Sequence, residues 1–399
     1  MEQICKQNFC SGCGACVNIC PQKCITLVED LISCNIPQID QGLCINCNAC
    51  KKVCPQNNLP ELHYPSNCFA AKITSEEKRL QSASGGIARA FYEYVLSNIN
   101  NSNVVGVYIN SNYDVNFILT NKIEDIPKFQ GSKYTQANPG MIYSHIADKL
   151  KKGSFVLFIA MPCQIAGLKN YLNLKKISQE KLLTVDILCH GVSPQSYFKQ
   201  SINHIKKKYK FKTIDRISFR SNEKYKNFHL YVAGKNEANN AIFYNKYAYE
   251  DPYFSSFLKG ISLRESCYQC KFSQASRISD ITIGDFIGLA ESKNYPEFKC
   301  NAINMSIILT NTKKGYEFLT QIDNIKLYER PYAEAIEFGA SLQKSFPRHK
   351  LREKFTKEYK KEEFVSTINK IAFKDLLLYK ILIAYKKIYV HIFMRHLLK

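Results

Sequence analysis

Two short cysteine runs of identical spacing constrain this chain more than any other feature. Cys10-x2-Cys13-x2-Cys16-x3-Cys20-Pro21 recurs as Cys44-x2-Cys47-x2-Cys50-x3-Cys54-Pro55. Twelve of the 17 cysteines lie in the first 68 residues. Three thiols at three-residue spacing wrap one corner of a tight loop and converge. The fourth, followed by proline, lies too far along the chain to close the same site comfortably. In a secreted chain such a density would suggest a disulfide framework. The N-terminus MEQICKQNFC carries no basic-then-apolar signal pattern, so the expectation is a cytoplasmic protein whose thiols bind metal. Zinc in closed tetrahedral sites is the alternative, although two complete zinc sites are harder to build from runs this crowded.

Residues 5 to 57 resemble a bacterial-type two-[4Fe–4S] ferredoxin, in which the fourth cysteine of each run ligates the other cluster. The resemblance implies one cluster on Cys10, Cys13, Cys16 and Cys54, and a second on Cys44, Cys47, Cys50 and Cys20. Gly12 and Gly14 are read as leaving room for backbone amides near the sulfurs. Such a module shuttles single electrons and does no bond chemistry itself. Cys5, Cys24, Cys34 and Cys68 fall outside the motif and are read as packing residues.

The remaining chain is ordinary in composition. Its 399 residues allow two or three domains, and 45% hydrophobic with 22% charged residues excludes a wholly disordered or collagenous protein. The apolar runs Phe155–Cys163 and Leu182–Cys189 are shorter than the roughly 20 residues that span a bilayer. The formal charge is +21, from 55 basic against 34 acidic residues. Anionic clusters would offset part of it, and the basic residues concentrate late, in Lys206-Lys207-Lys208, Lys350 to Lys361 and Lys386-Lys387. No zinc-finger, helix-turn-helix or RNA-motif signature accompanies them, so no nucleic-acid partner is expected. A solvated basic face is the first reading. Association of a basic amphipathic tail with a membrane surface is the weaker one.

The fold expected is α/β (α+β overall) in three parts: residues 1–60 with the cysteine repeat, 69–345 with alternating strands and helices, and a basic helical tail at 346–399. Asn57-Asn58-Leu59-Pro60 and Pro65-Ser66-Asn67 read as a linker. Candidate strands are Val104–Ile109, Phe155–Ala160, Leu183–Leu188 and Ile281–Asp285. Ser84-Gly85-Gly86 opens a helix whose apolar face is Ile87, Ala90, Phe91, Tyr94 and Val95.

A second cysteine set lies in the middle part. Cys163 follows the apolar run Phe155–Ala160 in Met161-Pro162-Cys163-Gln164, and Cys189 follows Leu183–Leu188 in Cys189-His190-Gly191. If both runs are parallel strands, both cysteines sit at carboxyl ends, where open α/β sheets place their sites. With Cys267-Tyr268-Gln269-Cys270 they could hold a third cluster. Buried structural cysteines and a redox-active or zinc-binding CxxC are the alternatives. Leu263-Arg264-x2-Cys267-x2-Cys270-Lys271-Phe272, then Arg277-x2-Asp280-Ile281-Thr282-Ile283-Gly284-Asp285-Phe286, resembles the beta subunit family of coenzyme F420 hydrogenases and dehydrogenases. So do Ser84-Gly85-Gly86, Gly131-Ser132-Lys133-Tyr134, Pro162-Cys163-Gln164 and Cys189-His190-Gly191-Val192-x-Pro194, in the family's order over roughly 69 to 345. The resemblance implies one [4Fe–4S] cluster on Cys163, Cys189, Cys267 and Cys270, and FAD. Ile287 stands where many relatives have Trp. Bacterial chains of this kind often occur among surface-polysaccharide genes, with their substrates mostly unassigned.

A flavin fits the chemistry physically, because a ferredoxin passes electrons singly whereas most organic reductions need two. Ser84, Gly85 and Gly86 at a helix N-terminus offer amides to a pyrophosphate. Gly131, Ser132, Lys133 and Tyr134 add a turn, a hydroxyl, an ammonium and a ring. The resemblance implies that both segments contact FAD; the local alternatives are a helix cap and a plain loop. His190 could donate a proton or simply bond a loop backbone, Asp285 could orient a cofactor or cap a turn, and Arg264 and Arg277 could serve the thiolates, an anionic substrate or the surface. No catalytic acid or base is named. The function expected is an iron–sulfur flavoprotein oxidoreductase with an unidentified organic substrate. Its redox partner would be ferredoxin, NAD(P)H or a reduced deazaflavin. The alternatives are an electron-transfer subunit feeding a separate enzyme, and a non-redox zinc protein.

Overall fold

The computed structural model describes residues 3–220, 228–289, 305–360, 362–374, 376–378 and 381. Its strands are β1 (Ile25–Glu29), β2 (Asn35–Ile39), β3 (Asn67–Ile73), β4 (Ser102–Ile109), β5 (Val115–Thr120), β6 (Phe155–Ala160), β7 (Leu182–Ile187), β8 (Phe211–Arg220), β9 (Phe228–Asn236), β10 (Ala241–Tyr247), β11 (Ile281–Asp285), β12 (Ser306–Thr310) and β13 (Ile325–Glu329). The chain divides into two compact units. One holds residues 1–195 and 264–347. The other holds 196–221, 227–263 and 348–399.

The first unit is built on an eight-stranded sheet in the order β13-β3-β12-β11-β7-β6-β4-β5. The centre, β4-β6-β7-β11, is parallel, and β5 and β12 pair antiparallel at its two sides. The strand expectations are met at both ends for β6 and β11 and within two residues for β4 and β7. β6 is apolar throughout and nearly all buried, as a parallel strand covered on both faces must be. Helix Ile87–Asn98 follows Gly86, which takes φ +85°, and buries Ile87, Ala90, Phe91, Tyr92 and Val95. Tyr94, expected on that face, is half-buried and packs its ring edge-on against Phe318.

The cysteine-rich front shares a core with this sheet. Ile4, Ala15, Ile19 and Val53 belong to the same buried cluster as Tyr143, Phe158, Ile165 and Leu172. The segment expected as a linker is tied down at its start. Asn57 Nδ2 donates to Ile4 O at 3.0 Å, and Asn170 Nδ2 donates to Asn58 O at 2.7 Å. His63 bridges to Arg277 through two 2.8 Å backbone bonds.

The second unit holds the antiparallel sheet β10-β9-β8 and an aromatic core. Tyr197 stacks on Phe364 at 4.7 Å, and Phe219 meets Phe254 edge-on at 5.3 Å. Helices Arg352–Tyr359 and Phe364–Ile371 bear out a helical character for the start of the tail. Most of the expected tail beyond residue 374 lies outside the described residues.

Candidate iron–sulfur and flavin sites

The two cysteine runs fold alike. Each places its third cysteine on a five-residue helix, Ala15–Ile19 or Ala49–Val53, and caps that helix with its fourth cysteine. The backbones of Cys20 (φ −65°, ψ 116°) and Cys54 (φ −68°, ψ 121°) nearly coincide. Gly12 and Gly14 adopt left-handed φ values of +62° and +76°, and their repeat equivalents are Asn46 (+54°) and Asn48 (+61°). Both residue types tolerate this region. The difference lies in the neighbours. A Cβ on Gly12 would come 2.8 Å from the Arg264 guanidinium, and one on Gly14 would come 2.4 Å from Pro139 Cγ. Asn46 and Asn48 are exposed. The two glycines therefore admit the body of the protein against the first run, a role the expectation of free space for amides did not include.

Gly14→Ala is expected to lose about 1–2 kcal/mol from backbone strain alone, plus the Pro139 clash. Asn48→Gly should change stability by no more than about 1 kcal/mol. Comparing thermal midpoints at one scan rate tests this. Equal losses in the two variants would contradict it.

The cysteines group as the crossed assignment requires. Cys10, Cys13, Cys16 and Cys54 lie close enough to act electrostatically on one another. Cys20, Cys44, Cys47 and Cys50 line one hollow of about 320 Å³. Cys13, Cys16 and Cys54 are buried, whereas Cys47 is exposed. Two cysteines expected to serve only packing reach these groups. Cys24 lines the second hollow, its Sγ 3.4 Å from Cys20 Sγ, and Cys5 packs against the buried cluster that holds Cys13, Cys16 and Cys54. Cys34 and Cys68 are buried, and burial pushes the Cys68 thiol up to about 12.

The second cysteine set also comes together. Cys163 is the second residue of helix Pro162–Leu174, directly beyond β6. Cys189 lies two residues beyond β7. Because β6 and β7 are adjacent and parallel, both lie at the same sheet edge. Cys267 lies in the 3-10 turn Glu265–Gln269, and Cys270 caps it. The four line one open hollow of about 610 Å³. Burial pushes the Cys189 thiol up to about 12 and raises Cys163 and Cys267 as well. Thiolates here need a compensating cation, so metal loading would release protons. Four cysteines lining one hollow fit the ligand set of a cubane. Among the described residues no three His, Cys, Asp or Glu groups converge as for a single bound ion.

One helix connects this set to the first cysteine group. Cys163, Gly167 and Asn170 fall at i, i+4 and i+7, on one face. A Cβ on Gly167 would come 3.2 Å from Cys13 Sγ. Tyr143 Oη lies 2.7 Å from Cys13 O and 2.9 Å from Gln164 O. Asn170 Nδ2 donates to Val53 O as well as Asn58 O.

Two buried arginines brace the region, and neither is a surface residue. Arg264 donates from Nε to Cys10 O at 2.6 Å, and from its other nitrogens to Gln136 Oε1 and Asn35 O. Arg277 pairs with Asp186 at 3.0 Å, both fully enclosed, and donates to Phe272 O at 3.0 Å. His190 packs on Phe346 with ring centroids 4.0 Å apart, while Ile287 is exposed.

The expected flavin segments are less open to a ligand. Ser84 Oγ donates to Met305 O, and Gly85 N–H donates to Ser306 Oγ, both groups at the start of β12. A Cβ on Gly85 would come 2.3 Å from Ala71 O, so the glycine serves close packing. Lys133 Nζ donates to Lys128 O, Phe129 O and Gln130 O, and burial lowers it to about 7. Its ammonium is not presented to a phosphate in this arrangement. Gly131 faces open space at φ +75°. The N-terminal amides of helix Ile87–Asn98 are the part of this set that suits a phosphate.

Comparison with known proteins finds two family models that each match part of the chain. Residues 154–335 match the family model for the C-terminal region of the coenzyme F420 hydrogenase/dehydrogenase beta subunit. Over this region the chain is similar to the coenzyme F420 hydrogenase/dehydrogenase beta subunit family. Residues 9–58 match a 4Fe-4S dicluster domain. No curated protein matches. A chain of the F420-reducing [NiFe] hydrogenase complex from Methanosarcina barkeri, studied by xenon derivatization, is similar at 18% identity and TM-score 0.42. The match covers 79% of this chain and 94% of that one. The protein is thus an iron–sulfur electron-transfer protein related to the F420 hydrogenase beta subunit. No described helix is long and apolar enough to cross a membrane.

Proposed function

We propose that electrons enter at the cluster of Cys20, Cys44, Cys47 and Cys50, pass to that of Cys10, Cys13, Cys16 and Cys54, and reach a third cluster on Cys163, Cys189, Cys267 and Cys270. The observation that carries this reading is the single hollow lined by the last four cysteines, with Gly167, one helical turn on from Cys163, packed against Cys13 Sγ. The exposed Cys47 favours the second run as the outer port, and the buried Cys13 favours the first run as the inner one. The helix Pro162–Leu174 fixes the spacing between donor and acceptor, and Arg264 ties the backbone of Cys10 to the turn that bears Cys267.

Beyond the third cluster, FAD would supply the conversion between single electrons and hydride. The amides opening helix Ile87–Asn98 would hold its phosphates, and the hydride would pass to an organic substrate, a deazaflavin or a nicotinamide. The working compartment in this reading is the cytoplasm. The family's description as a beta subunit favours a second reading, in which the chain delivers electrons to a separate enzyme.

Anaerobic titration of the purified chain with reduced ferredoxin, NAD(P)H and a reduced deazaflavin tests the flavin step. Bleaching of about one flavin per chain supports the first reading. Intact clusters that accept electrons, in a chain that neither carries FAD nor binds it when added, would leave the second.

A further inference from the structure

We propose that the buried guanidinium of Arg264 is a counter-charge shared by the two inner clusters, on Cys10, Cys13, Cys16 and Cys54 and on Cys163, Cys189, Cys267 and Cys270, and that it raises their reduction potentials above that of the outer cluster. The inference rests on the electron path proposed above. Arg264 is 2% exposed. Its bonds all go to neutral oxygens: Nε donates to Cys10 O at 2.6 Å, Nη2 to Asn35 O at 2.6 Å and Nη1 to Gln136 Oε1 at 3.1 Å. Among the described residues no carboxylate forms an ion pair with it, whereas Arg277 is neutralised by Asp186. A buried charge without a partner carries a large desolvation cost, so this guanidinium calls for an anion beside it.

The groups beside it are the proposed cluster ligands. On one side it holds the Cys10 carbonyl, and a Cβ on Gly12 would come 2.8 Å from Nη1. On the other it lines the hollow of Cys163, Cys189, Cys267 and Cys270, and Cys267 N–H donates to Arg264 O at 3.0 Å. The internal repeat gives the outer run no counterpart. Gly12 corresponds to Asn46, which is exposed, as are Lys51 and Lys52. Among the described residues no charged side chain lines the outer hollow. Exposed charges near it are screened by water and salt.

Reduction adds one electron to an already anionic cubane, and no bond forms or breaks. A fixed positive charge in a low-dielectric site stabilises the reduced form and raises its potential. Burial acts the other way, because it disfavours added charge. Cys13, Cys16 and Cys54 are buried, whereas Cys47 is exposed. Burial alone would therefore hold electrons at the outer cluster, and Arg264 turns the inward step downhill.

The test is a redox titration of the full, cluster-loaded chain followed by electron paramagnetic resonance. It compares wild type with Arg264→Gln, Arg264→Lys and Gln136→Glu, and Cys47→Ala identifies the outer signal by its loss. Arg264→Gln should lower both inner potentials and leave the outer one in place. Arg264→Lys keeps the charge but not the fork of donors, and should recover most of the drop. Gln136→Glu sets a carboxylate against an intact guanidinium and should also lower the inner potentials; it decides the matter if Arg264→Gln does not fold. Inner potentials unchanged in Arg264→Gln or in Gln136→Glu would overturn the proposal. So would an equal drop in Arg264→Gln and Arg264→Lys, or wild-type inner potentials below the outer one. Failure of the electron path itself reads differently, as missing cluster signals in the wild-type chain.

Discussion

Replacing both Cys163 and Cys189 with alanine is expected to lower the iron of the anaerobically purified chain from about twelve to about eight atoms, leaving the two ferredoxin-type clusters in place. The two residues come from neighbouring parallel strand ends and supply half of the sulfurs lining one hollow. Cys267 and Cys270 alone do not complete a four-thiolate set. The ferredoxin-type cysteines lie in separate groups, so their iron should remain. Burial disfavours the thiolate form of these residues in the metal-free chain. Alanine in their place therefore removes a neutral thiol and strands no charge, and the chain should still fold. Iron that stays near twelve would show that the four cysteines hold no cluster. Iron lost from all sites at once would point to general unfolding.

The second large effect concerns Arg277. Replacing it with methionine strands the Asp186 carboxylate, which is fully enclosed, and frees Phe272 O. Breaking a buried ion pair from one side costs about 3–5 kcal/mol. In a unit of this size that corresponds to roughly 10 °C in thermal midpoint. The double variant Arg277→Met/Asp186→Leu should recover a substantial part of the loss, because no uncompensated charge is left. Midpoints compared at one scan rate test both statements. A double variant no better than the single would assign the cost to the lost carbonyl bonds instead.

The strands and the two cysteine sets were legible because each is written locally. An apolar run bounded by turn residues marks β6 and β11, and fixed covalent spacing marks each cysteine run. The carboxyl-edge placement of Cys163 and Cys189 followed from the parallel reading of their strands. What stayed hidden depends on distant segments. Cys5 and Cys24 carry no spacing signal, and only the fold packs Cys5 against the buried cluster with Cys13, Cys16 and Cys54 and places Cys24 in the hollow lined by Cys44, Cys47 and Cys50. Gly12 and Gly14 are shaped by Arg264 and Pro139, far away in sequence. The helices Ala15–Ile19 and Ala49–Val53 are too short to show periodicity. Nor does composition set residues 196–263 apart, although β8, β9 and β10 lie in the second unit. Arg264 and Arg277 could be placed beside the CxxC, but their burial depends on acceptors at Cys10, Asn35, Phe272 and Asp186.

The most direct test of the electron path is combined iron, acid-labile sulfide, zinc and flavin analysis on one anaerobic preparation of the wild-type chain. About twelve iron with matching sulfide is the predicted result, as three cubanes require. About eight would contradict the third cluster, and zinc without iron would contradict electron transfer by this chain altogether.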